Sequence, residues 1–160
     1  MKNAEKIATH DYPVWREKAD FIIASRLGEE LGIDDLLGRE QLWARKVDSN
    51  SFELCCIPFF VYGLALGDIV GTQRFGSRQY VVDEVISPSG HRTFRVFFES
   101  LLRWNEIIDE ITLPGCAVEV RWQRCKLIAV DAASANECQS LRSYLTELEK
   151  RNEISWETGN

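Results

Sequence analysis

The sequence is short of the side chains that make and break bonds. Only two histidines, His10 and His91, occur in 160 residues. The five cysteines are odd in number and follow no metal-ligand spacing, with no C-x-x-C and no Cys/His cluster. Cys55 and Cys56 are neighbours, so in a strand they point to opposite faces and do not grip one metal together. Free thiols acting as small buried hydrophobes in a reducing, cytoplasmic compartment are the expectation. No long apolar run is present either. The longest, Ile57 to Leu66, is too short to span a bilayer and carries Pro58 and Gly63. Met1 to Trp15 has no apolar stretch of the secretory-leader kind. Gly63, Gly67 and Gly71 are spaced four apart, which is neither G-x-G-x-x-G nor a P-loop.

Excess positive charge is missing as well. The formal net charge is −6 and the pI is near 5.0. That balance argues against general nucleic-acid binding, which needs Lys and Arg to displace counterions from phosphates, and against an anionic membrane surface. It suits a basic protein partner. Hydrophobic residues at 45% and charged residues at 28% are globular usage.

Patterning predicts an α+β chain. Residues 1–19 read as an N-terminal arm, mobile or loosely docked. Residues 20–88 read as a β-rich portion. Phe21 to Ala24 is a strand, and Gln41 to Val47 and Phe52 to Ile57 form a hairpin about the turn cluster Asp48-Ser49-Asn50-Ser51. Residues 89–160 are more legible. Phe94, Val96 and Phe98 alternate along one strand. Ser100 is placed to cap a helix with Leu101, Trp104, Ile108 and Ile111 on one face, and Pro114-Gly115 stops it. Strands over Cys116 to Arg121 and Lys126 to Asp131 surround a short turn. Ser134 and Glu137 make a capping box for a helix with Cys138, Leu141, Leu145 and Leu148 on one face. Ile154 to Trp156 adds a last strand. The order β-α-β-β-α-β is a ferredoxin-like plan, with the β-rich portion packed on it as one joined unit. A two-residue turn between Trp122 and Cys125 sets Val120 opposite Leu127 and Val118 opposite Ala129, all four facing the helices. That register sets Cys116 opposite Asp131, leaving Cys116 and Cys125 about 20 Å apart, beyond disulfide reach.

Two sets of residues are candidate sites. The first is Asp68, His91 and Arg95. As a site, His91 is an acid/base and Arg95 an anion binder in a cleft between the two portions. As structure, Asp68 satisfies turn N–H groups and Arg95 pairs with Glu119 or Asp68 on the polar face of a strand. No nucleophile or paired carboxylate at workable spacing favours the first reading. The second set is acidic. Glu29, Glu30, Asp34 and Asp35 stand in one glycine-punctuated stretch without a basic residue, and more acids crowd the C-terminal end. They serve either solubility or docking. In the docking reading they contact the partner, with Trp15 or Trp43 as aromatic anchors.

Ile57-Pro58-Phe59-Phe60, Gly63-Leu64-Ala65-Leu66-Gly67-Asp68 and Ser89-Gly90-His91-Arg92-Thr93-Phe94-Arg95-Val96 resemble the uncharacterised bacterial family "domain of unknown function 4265". The resemblance runs from about Gln41 to Trp156. It implies no activity and no cofactor. Small acidic bacterial proteins of this kind are similar to the immunity partners of polymorphic toxins and contact-dependent inhibition systems. The resulting expectation is a non-catalytic, metal-free protein-binding module. It would neutralise a toxin domain, a basic nuclease for instance, as a monomer in the complex. The alternatives are an enzyme or small-ligand binder using the His91 cleft, and a regulatory module that dimerises through its ferredoxin-like sheet.

Overall fold

The computed structural model describes residues 7–27, 38–121 and 126–160. The β-rich portion begins with the short strand β1 (Ile7–Ala8), followed by β2 (Phe21–Arg26), β3 (Arg39–Lys46), β4 (Ser51–Leu54), β5 (Ile69–Phe75) and β6 (Arg78–Ser87). Strands β2 to β6 run as an antiparallel meander, and β6 returns parallel to β2 at Ala24 and Val81, closing a small barrel. Closure removes free strand edges that would otherwise recruit other chains. The β3–β4 hairpin forms where the turn chemistry puts it, with the Asp48 carboxylate accepting the Asn50 N–H at 3.0 Å. Alternation on β3 buries Leu42 and Ala44 beside Ile23, Phe52, Leu54 and Val70 in the barrel core. Glu40 is in phase with Leu42 and points the same way.

The second portion comprises β7 (Arg92–Phe98), α1 (Trp104–Thr112), β8 (Ala117–Arg121), β9 (Leu127–Ala132), α2 (Ala135–Lys150) and β10 (Ile154–Thr158). Its four strands are ordered β10-β7-β9-β8, every neighbour antiparallel, which is the ferredoxin-like arrangement. The helices cover one face, where Phe94, Val96, Phe98, Ile128, Val130, Ile107, Ile111, Leu141, Leu145 and Leu148 form the core. Ser134 accepts the Glu137 N–H at 3.2 Å and caps α2, and the Glu137 carboxylate reaches back to the Ala133 N–H at 2.7 Å.

Three local expectations are corrected. The β8–β9 register is shifted by one residue. Val120 pairs with Ile128, Val118 with Val130, and Ala117 rather than Cys116 with Asp131. Arg121 and Leu127 are the last pair among the described residues, and the turn expected between Trp122 and Cys125 lies outside them. A one-residue slip turns every side chain of a strand over. Ile128 and Val130 therefore face the helices, and Leu127 and Ala129 face away. Secondly, α1 begins at Trp104 with Arg103 at the cap position and no side-chain cap. Ser100 lies too early and accepts the Leu102 N–H instead, at 3.3 Å. Thirdly, the arm is fastened from Ile7 onward. β1 pairs with β3, the Trp15 N–H donates to the Cys55 carbonyl at 3.0 Å, and His10 is 3% exposed.

The face of the ferredoxin-like sheet away from the helices is covered by the segment joining β4 to β5. Ile57 and Phe59 pack on Leu127 and Ala129 there, with Val14 of the arm against them. Among the described residues, no helix is long and apolar enough to cross a membrane.

Candidate functional site

Asp68, His91 and Arg95 do not converge. The Asp68 carboxylate accepts the Ala65 N–H at 2.9 Å and the Ser89 N–H at 2.8 Å, joining two turns. His91 Nδ1 bonds Asp131 at 2.8 Å, and the ring meets Trp15 edge-on. Arg95 is 1% exposed. Its guanidinium donates to the carbonyls of Phe60 and Val61, reaches Glu157 at 3.4 Å and lies over the Tyr62 ring. Neither Glu119 nor Asp68, the partners expected for it, holds Arg95. The arginine fastens the β4–β5 segment to β7. The last residues complete that clamp, for the Gly63 N–H donates to the Gly159 carbonyl at 2.7 Å and the Thr93 N–H to the Asn160 side chain at 2.7 Å.

A second polar cluster was not anticipated. His10 lies between Glu119, 2.8 Å from Nδ1, and Glu40, 2.8 Å from Nε2, with all three side chains almost fully buried. Each ring nitrogen faces a carboxylate, so both donate and the ring is an imidazolium. Burial alone would depress its pKa. The Cys56 sulfur and the two carboxylates more than offset that and hold it well above the usual histidine value. Burial likewise pushes Glu40 up, but the imidazolium and the N–H groups of the β4–β5 segment outweigh it and keep Glu40 below the usual carboxylate range. Those donors are Phe59 at 2.6 Å, Phe60 at 3.0 Å and Val61 at 2.9 Å. Glu119 accepts the Ile57 N–H at 2.5 Å. The His10 ring stacks on Phe59, with centroids 4.5 Å apart. One charged cluster thus ties the arm, the barrel, the β4–β5 segment and β8 together. The available sequence signal was phase: Glu40 sits on the inward side of a strand, where a carboxylate needs partners.

The expected aromatic anchors are braces. Trp43 donates from its indole N–H to the His10 carbonyl at 3.1 Å, and Trp15 packs between His91, Lys18 and Gly67. Cys55, Cys56, Cys116 and Cys138 are free thiols. Burial raises Cys55 and Cys116 each to about 11, as it raises Cys56, so these three are inert packing residues. Among the described residues, no group of three or more His, Cys, Asp or Glu is arranged to hold a metal ion.

Glu29, Glu30, Asp34 and Asp35 lie outside the described residues. The ends of their segment are placed: the Leu27 N–H donates to the Gly38 carbonyl at 3.3 Å. Leu27 also lines an open cleft of about 380 Å³ between the barrel and the β4–β5 segment, with Arg26, Tyr62, Asp83 and Glu84 among its walls. Asp83 and Glu84 are exposed. The acid-rich stretch therefore leaves and re-enters the barrel at a rim that carries further carboxylates.

A small barrel joined through the β4–β5 segment to the open face of a ferredoxin-like sheet defines the class: a two-part α+β protein with a core in each part and a third apolar cluster where the segment meets the sheet. The chain belongs to the family described as domain of unknown function (DUF4265), whose model matches residues 40–156. Its fold is similar to the crystal structure of a hypothetical protein from Neisseria gonorrhoeae, with a TM-score of 0.68 at 18% identity over 86% of this chain and 92% of that one. At that identity the likeness establishes the fold alone. A comparison with curated proteins gave no match.

Proposed function

We propose that this protein is a non-catalytic protein-binding module that captures a basic partner on an acidic surface, and that it acts as an immunity protein against a toxin domain of the nuclease kind. The observation that carries the reading is the acid-edged cleft. Four carboxylates, Glu29, Glu30, Asp34 and Asp35, belong to the segment that follows Leu27, and Leu27 lines a cleft with Asp83, Glu84 and a single base, Arg26, on its walls. Complementary charge speeds encounter with a basic protein and selects against acidic ones. Half-exposed Tyr62, bonded to Glu157 at 2.7 Å, gives the rim an aromatic contact that is already held in place. The way the polar side chains are used supports the same reading. His10, Asp68 and Arg95 are committed to internal bonds, which suits a preformed scaffold better than a reaction centre. A catalytic set of Asp68, His91 and Arg95 draws no support from this geometry.

The test is affinity purification of the full chain from its native cell, followed by binding measurements with the recovered partner at low and high salt. The expected partner is basic. Its affinity falls with salt and falls again when Glu29, Glu30, Asp34 and Asp35 are changed to lysine. A neutral or acidic partner, or a basic one indifferent to the four reversals, would overturn the proposal.

A further inference from the structure

On the helix side of the ferredoxin-like sheet lies a second cleft, of about 450 Å³, lined by Arg92, Ser134, Cys138, Gln139, Arg142 and Ser143 together with small residues. No carboxylate is in its lining, although the chain as a whole carries a net charge of −6. The fold explains how the two arginines meet there. Arg92 opens β7 in phase with Phe94 and Val96, so it points to the helix side. Cys138 and Arg142 are one turn apart on α2 and share a face. The Arg142 guanidinium sits over the Phe94 ring, 5.3 Å from its centroid, which braces it. Arg92, Cys138 and Arg142 line the same cleft; burial raises the Cys138 thiol, the two arginines oppose that rise, and Glu137 and Asp131 add to it.

Among the described residues, neither guanidinium has an ion-pair or hydrogen-bond partner. The nearby acids are committed elsewhere. Glu137 holds the Ala133 N–H at 2.7 Å, and Asp131 holds His91 at 2.8 Å. Two like charges thus line one concave space whose own wall holds no carboxylate, on a strand and a helix that fix their positions. Each guanidinium offers a planar fork of N–H donors, which matches the oxygens of a tetrahedral dianion. Gln139, Ser134 and Ser143 add neutral donors around them. The space is larger than a phosphate needs, and Ala135 and Cys138 give the remainder a less polar wall.

We infer that this cleft binds a phosphomonoester, with its phosphate between Arg92 and Arg142 and its organic group against Ala135 and Cys138. The site is separate from the acid-edged cleft and does not depend on the function proposed above.

Inorganic phosphate is the probe. It is titrated into the full-length protein against sodium chloride of equal ionic strength, and alkylation of Cys138 by N-ethylmaleimide is followed by peptide mass spectrometry. Saturable binding to one site is expected, with Cys138 protected as the site fills. Arg92→Gln and Arg142→Gln should each weaken phosphate binding by about tenfold to a hundredfold, the usual effect of losing a charge-assisted hydrogen bond. Both side chains are exposed, so circular dichroism of the variants should match that of the parent. Absence of saturable binding, protection equalled by chloride, or an unchanged affinity in the double variant would each overturn the inference.

Discussion

His10 Nδ1 and Glu119 Oε1 lie 2.8 Å apart although 109 residues separate them in the chain. The contact joins the N-terminal arm to the far strand of the ferredoxin-like sheet, and Glu40 closes it from the barrel side. A buried charge is tolerated only when it is paired and hydrogen-bonded, and here every charge of the cluster is.

Removing the ring therefore leaves two carboxylates buried without their cation. His10→Ala should cost about 3–5 kcal/mol of unfolding free energy, the usual loss when one partner of a buried pair is deleted. The pH dependence has a definite sign. The folded pKa of His10 lies above the unfolded value near 6.5. Its contribution is complete below that value and is lost as pH rises through the folded one. Glu40 is shifted downward from 4.5, so its contribution is present above that value and is lost as pH falls through the folded one. Urea denaturation at neutral and alkaline pH should show the parent weakening as pH rises and His10→Gln responding much less. Equal responses would mean that the ring is not an imidazolium in the fold.

Arg95 does for the β4–β5 segment what His10 does for the arm. Arg95→Met strands the carbonyls of Phe60 and Val61 in the interior, which should cost about 2–5 kcal/mol. Arg95→Lys should recover little, because an ammonium does not reproduce the planar fork that reaches both carbonyls and Glu157. Gly159→Ala should show a smaller loss of the same kind, since an ideal Cβ there falls 2.9 Å from Arg95 Nη2. Thermal denaturation of the three variants orders them. A loss from Gly159→Ala as large as that from Arg95→Met would count against the clamp.

These two clamps mark where reading the sequence stops. Phe94, Val96 and Phe98 announce their strand by alternation, and Ser134 and Glu137 announce the start of α2, because both signals lie within a few residues. The hairpin about Asp48 is legible for the same reason. The β8–β9 register is not, since it depends on a connection whose length the turn residues leave open, and one residue decides which of Ala129 and Val130 meets the helices. His10, Glu40 and Glu119 come from three distant segments, so no window of sequence contains their relationship. Arg95 shows on inspection as a polar position on a half-buried strand. Its true partners are backbone carbonyls, which no side-chain pattern reveals.

Gly67 is required where it stands. Its φ is +83°, and a Cβ would fall 3.1 Å from Ser89 Cβ and 3.2 Å from the Trp15 ring. Gly67→Ala combines backbone strain with displacement of the tryptophan and should cost about 1–3 kcal/mol. Tryptophan emission should shift toward that of a more solvated indole, as Trp15 is pushed from the turn. Unchanged stability would show that the turn relaxes without disturbing the arm.

Asp131 should behave in the opposite sense to an ordinary structural carboxylate. Burial raises its pKa to about 6 from 3.8, His91 opposes the rise, and Glu137 and Asp68 add to it. One carboxylate oxygen, Oδ1, has no partner among the described residues. Between those two values the folded chain holds a proton that the unfolded chain has released, so this group makes folding less favourable as pH rises through the window. The shift corresponds to about 3 kcal/mol at full effect. Asp131→Asn keeps an acceptor for His91 Nδ1 and removes the charge that burial penalises. The variant should gain on the parent steadily from pH 3.8 to about 6 and hold that gain above it. Taking the difference between parent and variant cancels the contribution of Glu40, which runs the other way. Chemical denaturation at intervals across the range measures it, and parallel curves would show that the Asp131 carboxyl titrates at an ordinary value.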